Sequence, residues 1–464
     1  MDYKKLVIAT TSMGSFLSVV NGTSLLISIP TIMISLHTTF FFVIWVLIMY
    51  PMVMTIAAPI FGRYSDFIGR KKLYGYGYVF FFVGSLLSAL SFNVQFLLFA
   101  RVIQGIGGAL LFSNSLAIIA DAFDVIEMKT AIGVNAMIIG IATAIGPLIG
   151  GILTVINWRY VFVFNVPLAL IGFGLSTKLV DIKPRKTSFE IRTPVLFSIF
   201  ITLFVIYMTI APSNGWFSPV DATIIIFSML FLFLFAMVSL RTRNPVIDVS
   251  IFRNRDFATQ GISTMLSSIT RYSSVLIMII FLQGPMGLSP LISSIYVIPY
   301  AAALGSYISG KIRARGSEGR MIYLGLALSF AGSLALFLDR SVNPLFFSGI
   351  AVIGLGVGLF YTPNNAILMR SLSPDMRGIA AGMRTVLLNM GSVIGMAMVF
   401  SIVAVYVPQN VLSYAFLGVN SSIISNFKSG MVTGVDISFL ISGTASLLAI
   451  FLIMFAFHHN KKSN

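Results

Sequence analysis

The chain has 464 residues, of which 57% are hydrophobic and 9% are charged, and its mean hydropathy is +0.97. Ordinary soluble domains carry about 25% charged residues, so this composition excludes a water-soluble globular protein. The absence of cysteine excludes disulfides and thiolate chemistry, whereas the net charge of +16 fits either nucleic-acid binding or a membrane surface.

Fourteen apolar stretches follow one another along the chain. A helix of about 20 residues crosses a bilayer, and none of these stretches shows the alternation of polar and apolar residues typical of barrel strands. Because helices satisfy their own backbone hydrogen bonds in hydrocarbon, we predict an all-α integral membrane protein with 14 transmembrane helices. The predicted helices 1 to 14 cover residues 6–28, 40–61, 74–93, 96–119, 131–154, 160–178, 194–212, 221–240, 259–283, 289–310, 321–338, 344–368, 378–406 and 434–457.

Basic residues concentrate in every second loop. With the N-terminus in the cytoplasm, most of the 30 Lys and Arg residues fall in cytoplasmic segments, and only Arg159, Arg340 and Lys428 fall on the other side. The positive-inside rule then predicts that both termini are cytoplasmic, and we expect a multi-pass protein of the plasma membrane. Such basic segments contact anionic membrane lipid, so we expect no nucleic-acid partner.

Two halves of the sequence resemble each other at a separation close to 249 residues. FARVIQGIGGALLFSNSLAII, which begins at Phe99, aligns with SGIAVIGLGVGLFYTPNNAIL, which begins at Ser348. Internal repeats are typical of transporters, which bind substrate between the repeats near the bilayer midplane. We therefore predict six-helix bundles over residues 1–192 and 258–464, with an inserted pair of helices over residues 193–257.

Five motifs occur at topological positions that match a known family. They are WVLIMY (45–50), GRYSDFIGRKK (62–72), RVIQG (101–105), AIGPLIGG (144–151) and NWRYVFVFNVP (157–167). By these motifs the chain resembles the major facilitator superfamily, specifically its fourteen-helix group of drug:proton antiporters, over nearly its whole length. The resemblance implies two six-helix bundles plus two inserted helices, with alternating access and proton coupling.

The loop motif after predicted helix 2 supplies the candidate gating residues. A tight turn between two membrane helices needs glycine, and Gly62 and Gly69 supply it. Asp66 can lie at the positive N-terminus of a helix and pair with a cytoplasmic arginine, and the resemblance adds Arg70 and Lys71 to the motif. The loop therefore either holds one conformation and releases it in the other, or is simply a solvated loop.

The motif of predicted helix 5 contains Gly146, Pro147, Gly150 and Gly151. Glycines allow close approach of helices, and the proline removes one backbone hydrogen bond, so the helix can bend. The motif therefore indicates either a gate or helix packing alone. The resemblance associates it with antiporters.

Three arginines fall inside predicted helices. A charged side chain near the bilayer centre costs about 2.5–3.5 kcal/mol on insertion scales, so it generally faces a cavity or a partner. Arg101 and Gln104 match the family motif whose arginine takes part in proton coupling, and Asp121 is a further coupling candidate or a solvated charge at a helix end. We predict that Arg271 lines the central cavity, and that Arg384 either lines it or extends to the interface.

A carboxylate is missing where the resemblance would place one. VNGTSLLISIP, residues 20–30, resembles the helix 1 signature of the group, but Asn21 stands where the family usually has aspartate. None of the 14 acidic residues falls clearly in the middle of a predicted helix. Because an asparagine side chain neither binds nor releases a proton at physiological pH, proton coupling either uses another residue or is altered or absent.

Polar residues on the predicted bundle helices complete a candidate substrate cavity, and each of them can equally form an interhelical hydrogen bond. The cavity candidates are Asn21, Thr23, Asn135, Arg271, Tyr272, Tyr361, Asn364, Arg384 and Asn389.

No metal-ligand cluster, P-loop or nucleophile–base pair appears in the sequence, so we expect neither an enzyme nor a metal or cofactor. The leading hypothesis is a monomeric secondary transporter that exports small amphipathic or drug-like molecules with a proton gradient as its energy source. An alternative is transport of an organic anion or metabolite, which Arg271 and Arg384 suggest because no matching carboxylates accompany them. A sensor or scaffold that does not transport is a third hypothesis.

Overall fold

The computed structural model describes residues 2–180, 190–214, 216–243, 245–300, 302–311, 317–338, 344–372, 377–408, 411 and 421–460. All the regular structure within these residues is helical. Short 3-10 helices cover Leu25–Ser28 and Val249–Arg253. The α-helices of the described residues are α1 (Tyr3–Ser24), α2 (Ile29–Ser35), α3 (Phe40–Ile68), α4 (Arg70–Ala89), α5 (Val94–Ala122), α6 (Val125–Ile156), α7 (Tyr160–Val163), α8 (Asn165–Ser176), α9 (Arg192–Asn214), α10 (Pro219–Arg241), α11 (Arg255–Gln283), α12 (Pro290–Val297), α13 (Ala302–Lys311), α14 (Ser317–Leu338), α15 (Pro344–Arg370), α16 (Arg377–Tyr406) and α17 (Ser421–Asn460).

Eleven helical stretches in the described residues are long and apolar enough to cross a membrane, and they coincide with eleven of the predicted helices. The three other predicted stretches are helical as well. Of these, α4 is rich in glycine and tyrosine, α7 and α8 are short, and α12 is separated from α13. The prediction of a continuous helix over 289–310 is wrong because Pro299, which has no N–H to donate, interrupts it.

Equivalent contacts recur in the two halves at the separation that the sequence suggested. Ser15 Oγ on α1 lies 3.4 Å from Ser115 Oγ on α5. In the second half, Thr264 Oγ1 on α11 donates to Asn364 Oδ1 on α15 at 2.7 Å. Both residues of the second pair stand 249 positions after their counterparts in the first. The repeat in the sequence is therefore also a repeat in helix packing.

Glycines bring neighbouring helices of each half into backbone contact. A Cβ at Gly107 on α5 would lie 2.4 Å from the backbone nitrogen of Phe81 on α4. A Cβ at the equivalent Gly356 on α15 would lie 2.6 Å from the backbone nitrogen of Ser329 on α14. Backbone atoms cannot give way as a flexible side chain can, so both helix crossings require glycine.

The helix bundle has two ends of different composition. We call one the basic end, which comprises the helix termini at Ile68, Arg70, Arg241, Arg255 and Arg370. Ion pairs at this end join Lys4 with Glu127, Arg70 with Asp121, and Arg370 with Glu318. We call the other the opposite end, which comprises the termini at Phe40, Ile156, Gln283, Pro290 and Tyr406.

The two halves contact each other at the opposite end. Gln283 Nε2, at the end of α11, donates to the carbonyl oxygen of Ile27 at 3.1 Å. Ser294 on α12 fits against Gly151 on α6, where a Cβ would lie 2.2 Å from Ser294 Oγ. These contacts close the opposite end.

Helices α9 and α10 pack against each other beside the junction of the two halves. The rings of Phe197 on α9 and Phe235 on α10 are 5.4 Å apart, and α9 also contacts α3 and α16. Arg63 Nη1 at the basic end of α3 donates to the Pro245 carbonyl at 2.8 Å. Helices α9 and α10 therefore pack outside the junction of the two halves, where α3 contacts α16.

Candidate functional site

A cavity of about 70 Å³ lies between the two halves. A water molecule needs about 10–15 Å³ on this measure, so the cavity can hold several. Helices α1, α3, α5 and α6 line one side, and α11, α13, α15 and α16 line the other. The halves contribute equivalent positions, 249 residues apart, in the pairs Gly22 and Arg271, Phe112 and Tyr361, Ile139 and Leu388, and Gly140 and Asn389.

The second half places two buried arginines at this cavity. The Arg271 guanidinium lies 4.5 Å from the ring centre of Tyr272 and 5.3 Å from that of Tyr361. The Arg384 guanidinium lies 5.6 Å from the ring centre of Tyr361. The Nε atoms of both arginines are buried without a hydrogen-bond acceptor among the described residues, and the cavity lining contains no carboxylate. The cavity is therefore positively charged, and its guanidinium groups lie over the faces of tyrosine rings.

A third buried cation, Arg101 on α5, belongs to a polar network within the first half. Its Nε donates to the Val46 carbonyl at 3.1 Å, and its Nη1 donates to Gln104 Oε1 at 2.6 Å. Gln104 Nε2 in turn donates to Asn21 Oδ1 at 3.1 Å. The Arg101 guanidinium also lies 4.6 Å from the ring centre of Tyr50, which lines the cavity. The two coupling candidates Arg101 and Gln104 are thus connected to position 21.

The predicted gating loop is shorter than the motif suggests. Gly69 forms the turn between α3 and α4 with a φ of 110°, a conformation that favours glycine. Gly62 lies inside α3 instead, so its prediction as a turn residue is wrong, because the helix continues to Ile68. Lys71 is half-buried in the first turn of α4. The side chain of Asp66 is outside the described part of the chain.

Arg70 connects the loop motif with the coupling candidate Asp121. Its Nη1 lies 2.5 Å from Asp121 Oδ2 and donates to the Ala117 carbonyl at 3.0 Å. Both partners are on α5, so this ion pair lies within the first half. It joins a predicted gating residue to a predicted proton site.

The four residues of the helix 5 motif lie on α6, and the glycines among them face residues of both halves. A Cβ at Gly146 would lie 1.9 Å from Thr23 Oγ1, and one at Gly150 would lie 2.0 Å from the Ser24 carbonyl oxygen, both within the first half. Gly151 instead faces Ser294 of the second half. Pro147 is inside the helix between these contacts.

Of the nine predicted cavity residues, five line the cavity: Arg271, Tyr272, Tyr361, Arg384 and Asn389. The other four lie outside its lining.

The structure places those four in contacts between helices. Asn135 exchanges hydrogen bonds with Ser15, and Asn364 bonds to Gln260 and Thr264. Asn21 accepts from Gln104 and Asn165, and Thr23 packs under Gly146. Such interhelical bonds are the alternative that the sequence left open for each of them.

Sequence reasoning did not select two residues that the structure makes prominent. Tyr50 lines the cavity, and its place in the motif WVLIMY was the available signal. Asp436 is 4% exposed inside α17. The expectation that no acidic residue lies well inside a helix is therefore wrong, because α17 begins at Ser421 and not near residue 434.

The apolar helices, the duplicated halves and the charged cavity between them define a polytopic membrane transporter. The family model described as Major Facilitator Superfamily matches residues 11–396, and the chain belongs to this superfamily. The resemblance of the sequence motifs to this superfamily is thereby confirmed. Because the superfamily consists of transporters, the prediction that the chain is not an enzyme is confirmed as well.

Relatives with assigned roles cover most of the chain. It is 26% identical over 407 residues to the riboflavin transporter RibZ of Clostridioides difficile, which covers 86% of this chain and 88% of that protein. It is 26% identical over 412 residues to the multidrug resistance protein Stp of Mycobacterium tuberculosis, which covers 86% of this chain and 76% of that protein. The crystal structure of a bacterial homologue of the human lysosomal transporter Spinster matches with a TM-score of 0.65 at 15% identity, covering 99% of this chain and 97% of that one. The fold is thus shared with solved transporters.

Proposed function

We propose that this transporter exports small amphipathic, drug-like molecules by alternating access, with the cavity between the halves as its substrate site. The observation that carries the proposal is a cavity lined by equivalent positions of two related halves. Rocking of one half against the other exposes such a site first to one end and then to the other. The multidrug resistance relative supports export as the direction.

We infer that access to the cavity in this conformation is from the basic end. The rings of Phe41 on α3 and Phe400 on α16 are 6.2 Å apart and add to the contacts that close the opposite end. The cavity-lining residues Thr362 and Asn365 lie in the last third of α15, towards its basic terminus at Arg370. This arrangement suits loading of substrate from the basic end.

We also propose fourteen membrane-spanning segments, with both termini on the cytoplasmic side of the plasma membrane. Every predicted apolar stretch is helical over most of its length, which supports the count. The concentration of arginine and lysine at one end supports a cytoplasmic basic end. The halves then correspond to residues 1–192 and 258–464, with residues 193–257 inserted, in a monomer.

A proton gradient is the proposed energy source. Asn21 cannot bind a proton, so we assign coupling to another residue, and Asp121 is the candidate whose surroundings suit it. Protonation of Asp121 would weaken its ion pair with Arg70 and release a residue of the loop motif. Proton binding would thereby act on the turn between α3 and α4.

Cysteine labelling tests alternating access without knowledge of the substrate, because the chain contains no cysteine of its own. Thr362→Cys places one thiol in the cavity. Thr223→Cys and Lys72→Cys place exposed thiols at the opposite and basic ends as controls. A membrane-impermeant maleimide should label each control from one side of the membrane, and Thr362→Cys from both sides at rates that change with pH. Labelling of Thr362→Cys from one side only, at every pH, would overturn the proposal.

A further inference from the structure

We propose that the cavity binds an aromatic organic anion, with its carboxylate or sulfonate between Arg271 and Arg384 and its ring against Tyr361. This inference rests on the proposed function in one respect, namely that the cavity is the substrate site. It narrows the proposed substrates from amphipathic molecules in general to molecules that carry a negative charge and an aromatic ring.

The first argument is the unmet hydrogen-bonding capacity of the two arginines. Each is 6% exposed, and burial of a charged group is unfavourable unless it is paired and hydrogen-bonded. Their Nε atoms have no acceptor among the described residues, and no carboxylate lines the cavity. An anion in the cavity would supply the missing acceptors and the missing negative charge.

The second argument is the asymmetry between the halves. Gly22 and Asn135 stand at the positions equivalent to Arg271 and Arg384, each 249 residues earlier. The first half forms the same helix packing with a glycine and an asparagine there. The fold therefore does not require arginine at these positions, and the two positive charges are explained by what the cavity holds.

The third argument is the aromatic surroundings of the guanidinium groups. Tyr361 lies within 5.3 Å of Arg271 and 5.6 Å of Arg384, and Tyr272 lies within 4.5 Å of Arg271. Cation–π contact with a ring face supplies no acceptor to the two Nε atoms, which have none among the described residues. Guanidinium N–H donors match the planar oxygens of a carboxylate, and arginine binds such groups with more than one bond. Phe112, across the cavity, adds an aromatic wall for the substrate ring.

For a lipophilic cation, the cavity lining offers no comparable group of opposite charge among the described residues. In the described part of the chain, the cavity lining contains two arginines and no acidic residue, and the ring of Tyr50 already faces Arg101. The buried carboxyl group of Asp436 is not part of the lining. Like charges therefore disfavour cationic drugs in this conformation.

The test compares two permanently charged probes with the same ring, naphthalenesulfonate and naphthyltrimethylammonium, with inorganic sulfate as a third probe. Binding to the purified full chain is measured by calorimetry and uptake by proteoliposomes. We expect naphthalenesulfonate to bind at least about tenfold more tightly than either of the others. Arg271→Gln and Arg384→Gln should each weaken its binding about tenfold or more, since each removes a charged hydrogen-bond donor. Arg271→Lys and Arg384→Lys should weaken the binding of naphthalenesulfonate less than the glutamine variants do.

The control variant is Arg370→Gln, which removes an arginine whose side chain is 59% exposed and lies outside the cavity lining, and which should bind naphthalenesulfonate like the parent chain. Tighter binding of naphthyltrimethylammonium overturns the anion assignment, and sulfate binding as tight as naphthalenesulfonate overturns the aromatic assignment. If a glutamine variant does not fold, the comparison of probes on the parent chain still decides. The labelling of Thr362→Cys judges alternating access separately, so the two proposals can fail independently.

Discussion

Replacing Gly151 with alanine should move the transporter away from the conformation of this structure. The added Cβ would lie 2.2 Å from Ser294 Oγ and 2.4 Å from Ser294 Cβ. Rotation of the serine can move its hydroxyl, but its Cβ is fixed to the backbone of α12, so α6 and α12 have to separate. Overpacking of this kind costs about 1–3 kcal/mol.

That cost applies only while the opposite end is closed, because the proposed motion separates these helices in the other conformation. An energy difference of about 1–3 kcal/mol changes the ratio of two conformations about 5–150-fold. Gly133 on the same helix provides the matched control, since its Cβ would have no atom within 4 Å. Gly146 and Gly150 cannot serve as controls, because an added Cβ at either position would contact Thr23 or Ser24 of the first half.

The assay uses Thr362→Cys as the reporter in intact cells. Impermeant maleimide added outside should label the cavity thiol several-fold faster when Gly151→Ala is also present, and at the parent rate when Gly133→Ala is present. Equal labelling of parent and Gly151→Ala, or equal acceleration by both alanines, would refute the gating role of this contact.

Two further predictions concern the interior of the first half. Asn21→Asp should fold, because the new carboxylate accepts the same hydrogen bond from Gln104. It should also make substrate flux more steeply dependent on pH, because it adds a titratable group at a buried site. An unchanged pH profile in proteoliposomes would contradict this. Gly107→Ala should destabilise the protein by about 1–3 kcal/mol, because the Phe81 backbone blocks the methyl group. Thermal unfolding in detergent measures this, and Gly133→Ala should match the parent or be slightly more stable, since alanine favours helix.

Properties that depend on composition and periodicity were accessible from the sequence. The 57% of hydrophobic residues and the spacing of apolar stretches predicted a helical membrane protein, because a bilayer accepts few other structures. The glycines at Gly107 and Gly356 revealed the duplication, because close helix crossings exclude side chains. The motifs identified the family. The break at Pro299 and the early start of α17 were missed, because apolar runs indicate which residues prefer lipid and not where a helix begins or ends.

The placement of side chains required the tertiary structure. Asn364 and Asn365 are adjacent on α15, yet the first bonds to α11 and the second lines the cavity, because successive side chains of an α-helix point about 100° apart around its axis. The sequence by itself determined the membrane location, the helical halves and the unusual interior arginines. Only the packing of α11 against α16 within the second half decided that Arg271 and Arg384 share one cavity, because that proximity depends on residues more than a hundred positions apart.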